Sequence, residues 1–382
     1  MSNHDYAQRS MDAHKLHAGK WAITSVMPLE TADDLSIAYT PGVAAPCLAI
    51  AADPLAAYDL TMKGRAVAVV SDGSSVLGLG NIGPMAGLPV MEGKAVLYKK
   101  YANIDAVPIV LASQNADEII EAVRMIAPTF GGIHLEDIAA PACFEIEQRL
   151  SEMLDIPVMH DDQHATAIVA LAGLMNAAKV VGRSLESMNV VVNGAGAAGI
   201  AITYLFIDAG VANVILVDSK GVIGHHRSDL SGQKAILVAL TNTYGVQGGL
   251  AEAMQGTDVF VGVSKPNLVS QDMVKSMAPN PIIFALANPV PEIAYDDAKA
   301  AGAAVIATGR SDYPNQINNV LVYPGLFRGL LNRRASKLTS VMKIAAATAL
   351  AGMVPEPTAE NIIPRIIETN PAEAIAKAIE SV

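Results

Sequence analysis

From residue 66 onward, short runs of β-branched and other apolar residues alternate with longer stretches of helical periodicity. "AVAVVSD" (66–72), "AVPIVLA" (106–112), "GGIHLED" (131–137) and "IPVMHDD" (156–162) predict short buried strands. Between them "GLPVMEGKAVLYKKYA", "NADEIIEAVRMIA" and "ACFEIEQRLSEML" space their apolar residues as helices do. That alternation predicts a mostly parallel sheet with helices on its faces. A longer helix follows over about 163–181 and is stopped by Gly182. A second alternating series then runs through "NVVVNG", "NVILVDS", "TDVFVGV", "PIIFALANP" and "AAVIATG". The tail from about Tyr323 reads as helices interrupted at "VPEP".

Composition narrows the class. With 382 residues the chain is too long for one ordinary core, so two domains are expected. Hydrophobic residues at 52% and charged residues at 16% point to a well-packed globular enzyme. A net charge of −11 argues against nucleic acid or an anionic membrane as the main partner. Two cysteines far apart, Cys47 and Cys143, give no disulfide framework and fit a reducing cytoplasm. The polar start "MSNHDYAQRSMDAHKLHAGKW" has no signal-peptide core. Apolar runs such as "AIVALAGLMNAA" fall short of the ~18 residues of a membrane span.

Two glycine runs share the Gly-x-Gly-x-x-Gly spacing, "VLGLGNIGPMAG" and "NVVVNGAGAAGIA". A dinucleotide site needs that turn directly between a strand and a helix, with an acid ending the next strand about 20 residues on. The second run meets these conditions: Gly194, Gly196 and Gly199, with Ala197 and Ala198 between them, follow "MNVVVN", and "NVILVD" ends in Asp218. The helix N-terminus there would hold a pyrophosphate. The first run is separated from its strand by "SDGSS", and the helix after it carries Pro84 and Pro89, so it reads as a turn. Asp218 favours NAD over NADP, whose 2′-phosphate it would repel, although Lys220, His225, His226 and Arg227 follow closely. The expected fold class is therefore α/β with two domains. An N-terminal α/β substrate and metal domain with a parallel sheet spans 1–162, a Rossmann-type dinucleotide-binding domain spans 163–330, and C-terminal helices fill 331–382.

Four acids are expected at one edge of the first sheet. Glu136 and Asp137 end one predicted strand, Asp161 and Asp162 the next, and a single helix joins the two. A strand–helix–strand crossover makes parallel neighbours, which brings both C-terminal ends to the same edge. Capping accounts for one acid, Asp162 before Gln163, but four crowded carboxylates call for a cation. Oxygen ligands select Mg²⁺ or Mn²⁺. His134, His160 and His164 read as packing or supporting groups around that site.

The segments "YTPGVAAPC", "SDGSSVLGLGNIGP", "EGKAVLYKKYANIDA", "HLEDIAAP", "HDDQHATA", "NGAGAAGIA", "ALANPVPEI" and "GRSDYPNQINNVLVYPGLFRG" together resemble the malic enzymes, in their short bacterial form. The likeness runs from about residue 10 to the C-terminus. It implies conversion of L-malate to pyruvate and CO₂ with reduction of NAD⁺ or NADP⁺, dependent on Mg²⁺ or Mn²⁺, in a homodimer. By the family's motifs, Tyr39 is the catalytic tyrosine, Lys94 the catalytic lysine and Asp161 an acid that assists proton transfer. Glu136, Asp137 and Asp162 fall on the metal ligands. Asn288, Asn318 and Asn319 fall on substrate-side asparagines, with Asn288 also beside the cofactor. Where longer relatives carry an arginine that grips a malate carboxylate, this chain has Ser75, and Arg310 is a conceivable substitute. Its length gives no room for the acyltransferase-like domain of fused bacterial forms.

The implied chemistry is oxidation followed by decarboxylation. Lys94, with Asp161, takes the C2 hydroxyl proton as C2 gives hydride to the nicotinamide. CO₂ then leaves, and Tyr39 protonates C3. Desolvation of a buried Lys94 is expected to lower its pKa and suit it to act as a base. The rivals are a malolactic enzyme, which retains NADH and releases lactate, an amino-acid dehydrogenase of similar plan, and a catalytically inactive NAD-binding regulatory protein. The last would be expected to have lost the tyrosine, the lysine or the acids.

Overall fold

The computed structural model describes residues 3–76 and 78–382. All nine strands anticipated from the apolar runs are present, most of them trimmed at an end, while the one expected at 106 begins a residue earlier. In the first sheet, β1 (Ala66–Ser71), β2 (Asp105–Val110), β3 (Gly132–Leu135) and β4 (Val158–His160) lie in the order β2-β1-β3-β4. All three pairings are parallel. Leu135 pairs with His160. The residues that follow, Glu136 and Asp161, therefore leave neighbouring strands at one sheet edge, as parallel crossovers require.

The second sheet contains β5 (Asn189–Asn193), β6 (Asn213–Asp218), β7 (Gly221–Val222), β8 (Val259–Gly262), β9 (Ile282–Ala285) and β10 (Val305–Thr308). Its order is β10-β9-β8-β5-β6-β7. Strand order reverses between β5 and β8, the switch point of a dinucleotide-binding sheet. The two-residue β7 turns back antiparallel on β6 and is too short to leave a hydrophobic pattern.

The helix Asp161–Val180 joins the two halves, and most of its residues are buried: Ala165 and Ala167–Gly173 among them. A helix apolar on every side is one enclosed on every side. One continuous core runs from Met91 and Tyr98, through this helix, to Val190, Phe284, Phe327 and Ile379. The last two come from the C-terminal helices Tyr323–Arg333 and Ala372–Glu380, which return to the first sheet. There, a Cβ on Gly132 would lie 2.7 Å from the Phe327 ring. The Asp161–Val180 helix begins two residues earlier than the expected 163, with His160 in the capping position and no side-chain capping bond. Asp162 is thus not a cap; Asp161 and Asp162 fill the first turn and turn inward.

The N-terminal region is built differently. The helices Ala32–Ala38 and Ala44–Ala52 carry no buried residue. Ile23, Val26, Leu29, Leu35, Ile37, Leu48 and Leu55 are all exposed by more than half. No helix among the described residues is long and apolar enough to cross a membrane.

Candidate active site

The acids at the end of β3 and after β4 meet as the topology dictates. One carboxylate oxygen each from Glu136, Asp137 and Asp162 lies within 4.8 Å of the other two. Glu136, Asp137 and Asp161 are almost wholly buried. Burial, and then repulsion from Glu136, raise the Asp162 pKa. Three convergent carboxylates with no histidine among them fit a hard divalent ion such as Mg²⁺ or Mn²⁺.

Lys94 projects from the helix Pro84–Ala102 into this cluster. Its ammonium lies 2.6 Å from Asp161 Oδ2 and 3.0 Å from Glu136 Oε1. The Tyr323 ring centroid is 4.5 Å away, a cation–π contact. Burial pulls the Lys94 pKa down, but Asp161, Glu136 and Tyr323 outweigh it and hold it well above an ordinary lysine. This corrects the expectation from desolvation alone: a buried lysine is lowered only when its counter-charges are not buried with it. Lys99 and Lys100, later on the same helix, face solvent.

His134 supports Glu136 from within the core. Burial lowers its pKa to about 3, so the ring is neutral. Its Nε2 lies 2.5 Å from Glu136 Oε2, and its Nδ1 is 2.7 Å from the Tyr98 hydroxyl. The Nε2–H tautomer satisfies both contacts, donating to the carboxylate and accepting from the tyrosine. His160 Nε2 sits 3.6 Å from Asp162, and His164 Nε2 is 2.8 Å from the buried Glu147. Glu147 also accepts from the His160 N–H and from Gln163, which pins the start of the inter-domain helix. Tyr98, Glu147 and Tyr323 went unnoticed in the sequence, because an aromatic or acidic residue at helical spacing reads as core or solvated face.

Across the cleft, the turn after β5 enters the helix Ala197–Asp208 through Gly194 and Gly196. A Cβ on Gly199 would lie 1.6 Å from the Gly194 carbonyl oxygen, so that position admits only glycine. Gly196, Ala197, Ala198, Asn288, Asn318 and Asn319 share a cavity of about 480 Å³ with Ser75, Asp137 and Asp162. Asn319 donates to Asp161 Oδ2, whereas Asn318 accepts from the Val320 N–H at 3.0 Å as a local cap. The first glycine run closes the same cavity. Gly78 has φ +75°, and a Cβ there would come 2.5 Å from the Asn288 carbonyl oxygen. The run is a turn, and its Gly78 lets one domain approach the other.

Three assigned residues sit differently. Tyr39 is 67% exposed and is not among the partners of Lys94. Arg310 pairs with Asp312 at 2.6 Å and does not line the cavity, while Ser75 does. Asp218 is fully engaged: Arg227 Nη1 lies 2.6 Å from Oδ1 and Lys234 Nζ 2.7 Å from Oδ2. The Lys220 N–H adds a third bond at 2.9 Å. Burial raises the Asp218 pKa, but these donors outweigh it and hold the acid at about 2. Lys234, sixteen residues beyond the acid, was not singled out in the sequence.

Fold and site define a class first: a two-domain nicotinamide-dinucleotide oxidoreductase, with acids facing the glycine turn across one cavity and a buried lysine paired to the acid cluster. Comparison with known proteins narrows this. The family model "Malic enzyme, N-terminal domain" matches residues 18–151, and "Malic enzyme, NAD binding domain" matches 164–381. The chain is 51% identical to the bifunctional malic/malolactic enzyme of Bacillus subtilis, over 97% of this chain and 92% of that one. It is 52% identical to the NAD-dependent malic enzyme of Geobacillus stearothermophilus, over 94% and 76%. The NADP-dependent malic enzyme of Rhizobium meliloti is 50% identical over 93% of this chain and 47% of its own. The crystal structure of the malic enzyme from Pyrococcus horikoshii superposes with a TM-score of 0.94 at 46% identity, covering 98% of this chain and 90% of that one. The chain belongs to the malic enzyme family, and oxidative decarboxylation of malate fits the site.

Proposed function

We propose that this protein converts L-malate to pyruvate and CO₂ with NAD⁺ or NADP⁺ as hydride acceptor, using Lys94, Asp161 and Tyr39 and an ion held by Glu136, Asp137 and Asp162. The supporting observation is the single cavity in which Asp137, Asp162 and three asparagines face the dinucleotide turn. A divalent ion on the three acids would stabilise negative charge developing on the substrate oxygens and would offset the carboxylates that hold Lys94 protonated. Lys94 and Asp161 then form a proton-transfer pair, with Asn319 fixing the Asp161 carboxylate and Tyr323 the ammonium. The proton leaves the C2 hydroxyl for this pair as hydride leaves C2.

Tyr39, read as the acid that protonates C3, is exposed and does not line the cavity of its own chain. It lies in the N-terminal region whose apolar residues are uncovered. A second copy seated on that face would cover them and bring Tyr39 to the partner's Lys94. We therefore read the protein as a homodimer whose proton donor comes from the other subunit. The engaged Asp218 weakens the argument for strict NAD use, because three cations, Lys220, Arg227 and Lys234, surround two acids, Asp218 and Asp229. We read the cofactor as NAD, with NADP admitted, and the setting as cytoplasmic.

A second reading, release of lactate with the nucleotide retained, is favoured by the name of one close relative. One assay separates the two. Purified protein is given L-malate and Mn²⁺ with NAD⁺ or NADP⁺, and reduced nucleotide, pyruvate and lactate are measured, before and after exhaustive chelation. Pyruvate and reduced nucleotide in equal amounts, lost on chelation, support the proposal. Lactate without net reduction supports the second reading. No turnover under any condition, or full turnover in the chelated sample, overturns the assignment or its metal.

A further inference from the structure

Glu292 is a buried carboxylate that the chemistry above does not use. It has no exposed surface, and no cation among the described residues pairs with it. One oxygen accepts from the Ser264 N–H at 3.0 Å and the other from the Ala287 N–H at 3.1 Å. Those amides belong to separate loops, one leaving β8 and the other leaving β9. Val263, Ser264, Leu286, Ala287 and Asn288 from these loops line the inter-domain cavity.

The fit around the carboxylate is close. A Cβ on Gly262, the last residue of β8, would come 2.3 Å from the Glu292 carboxyl carbon. The Ser264 hydroxyl accepts from Asn193 Nδ2 at 3.0 Å. A Cβ on Gly194 would in turn meet the Val263 carbonyl oxygen at 2.6 Å. Glu292 thus ties two strand-end loops to each other and, through Ser264, to the start of the glycine turn.

Position along the sheet says which half of the cofactor this concerns. A dinucleotide crosses such a sheet at the switch point, here between β5 and β8. The adenosine half lies on the β6 side, near Asp218, so the nicotinamide half lies over β8 and β9. We propose that Glu292 is a positioning residue for hydride transfer, holding the Ser264 and Asn288 loops at the nicotinamide end and having no part at the adenosine end. It rests on the dinucleotide reading above. Glutamate suits the task because both N–H groups need an acceptor. Glutamine would turn its NH₂ donors towards one of them.

The test is Glu292→Gln, read by kinetics, nucleotide binding and amide exchange. The kcat should fall about 10- to 100-fold with the malate KM little changed. NADH should bind more weakly, while ADP-ribose, which lacks the nicotinamide, binds as it does to the wild type. Exchange of the Ser264 and Ala287 amides should quicken. Wild-type kcat and NADH affinity in the variant would overturn the proposal. Equal weakening of NADH and ADP-ribose would also overturn it, by making Glu292 a general support of the domain. Should the variant not fold, the wild type still decides: without nucleotide, both amides must be protected from exchange, and free exchange at either refutes the tether. If the wild type binds neither NADH nor ADP-ribose, the dinucleotide reading itself falls, and this one with it.

Discussion

Lys94 shows how a single side chain takes its chemistry from its neighbours. Held between Asp161 and Glu136, it is their counter-charge, and under the proposed function it is also the proton carrier, so Lys94→Ala removes two functions at once. Malate oxidation should drop by about 10²–10⁴, the usual cost of a lost general acid or base. Oxidation at the wild-type rate in that variant, once folding is confirmed by circular dichroism, would discard the role. Lys234 makes a quieter case. Lys234→Ala removes one of the cations around Asp218 and should raise the NADP⁺ KM about tenfold, with less effect on NAD⁺. An equal change for both nucleotides would count against a phosphate-facing role. Cys143 tests burial by pH. Burial pushes its thiol from 9.0 up to about 12. A raised folded pKa adds stability that is complete below the unfolded value and is lost as pH rises through the folded one. At pH 8 the native thiol is therefore protonated. In a Cys47→Ser variant, a thiol reagent should label nothing until the protein unfolds, and rapid native labelling would contradict the packing.

At the level of elements, the two glycine runs have the same spacing and opposite duties. Gly199→Ala drives a Cβ into the Gly194 carbonyl and should weaken NADH binding about 10- to 100-fold by opening the turn. Gly78→Ala places its strain against the Asn288 carbonyl, where the domains meet. It should lower kcat while leaving ADP-ribose binding intact. Isothermal titration and steady-state kinetics on both variants check the distinction, and a swap of the two phenotypes would invert the assignment. Strand, turn, helix and terminal acid were all readable around Gly194, because each is a local pattern. Around Gly78 only the turn was readable. Its purpose depends on a carbonyl 210 residues away in sequence.

For the molecule as a whole, the uncovered N-terminal face and the exposed Tyr39 argue for function in pairs. Tyr39→Phe and Lys94→Ala homodimers should each be nearly inactive. If Tyr39 serves the partner's lysine, unfolding and refolding the two together gives heterodimers with one intact site. A statistical mixture should recover about a quarter of wild-type activity. If both residues act within one chain, each subunit of the heterodimer carries one defect and the mixture stays inactive, which would end the trans arrangement. The sequence placed Tyr39 by its "YTP" motif and gave no sign of its exposure. Solvent and partner look alike to a short apolar helix until the core is seen to lie elsewhere.

The order of elements, the glycine turn and the acids at two strand ends are properties of spacing and residue type, and the sequence by itself determined them, whereas Lys94 was marked only by its likeness to the family motif. A parallel crossover then leaves little choice about which sheet edge the acids share. The charge state of Lys94, the clamping of Asp218, the supports at His134, Glu147 and Tyr323, and the tether at Glu292 were decided only by tertiary structure. Each depends on which groups are buried together. Electrostatic and hydrogen-bonding balance inside a protein is set by neighbours distant in the chain, and no local window of sequence contains them.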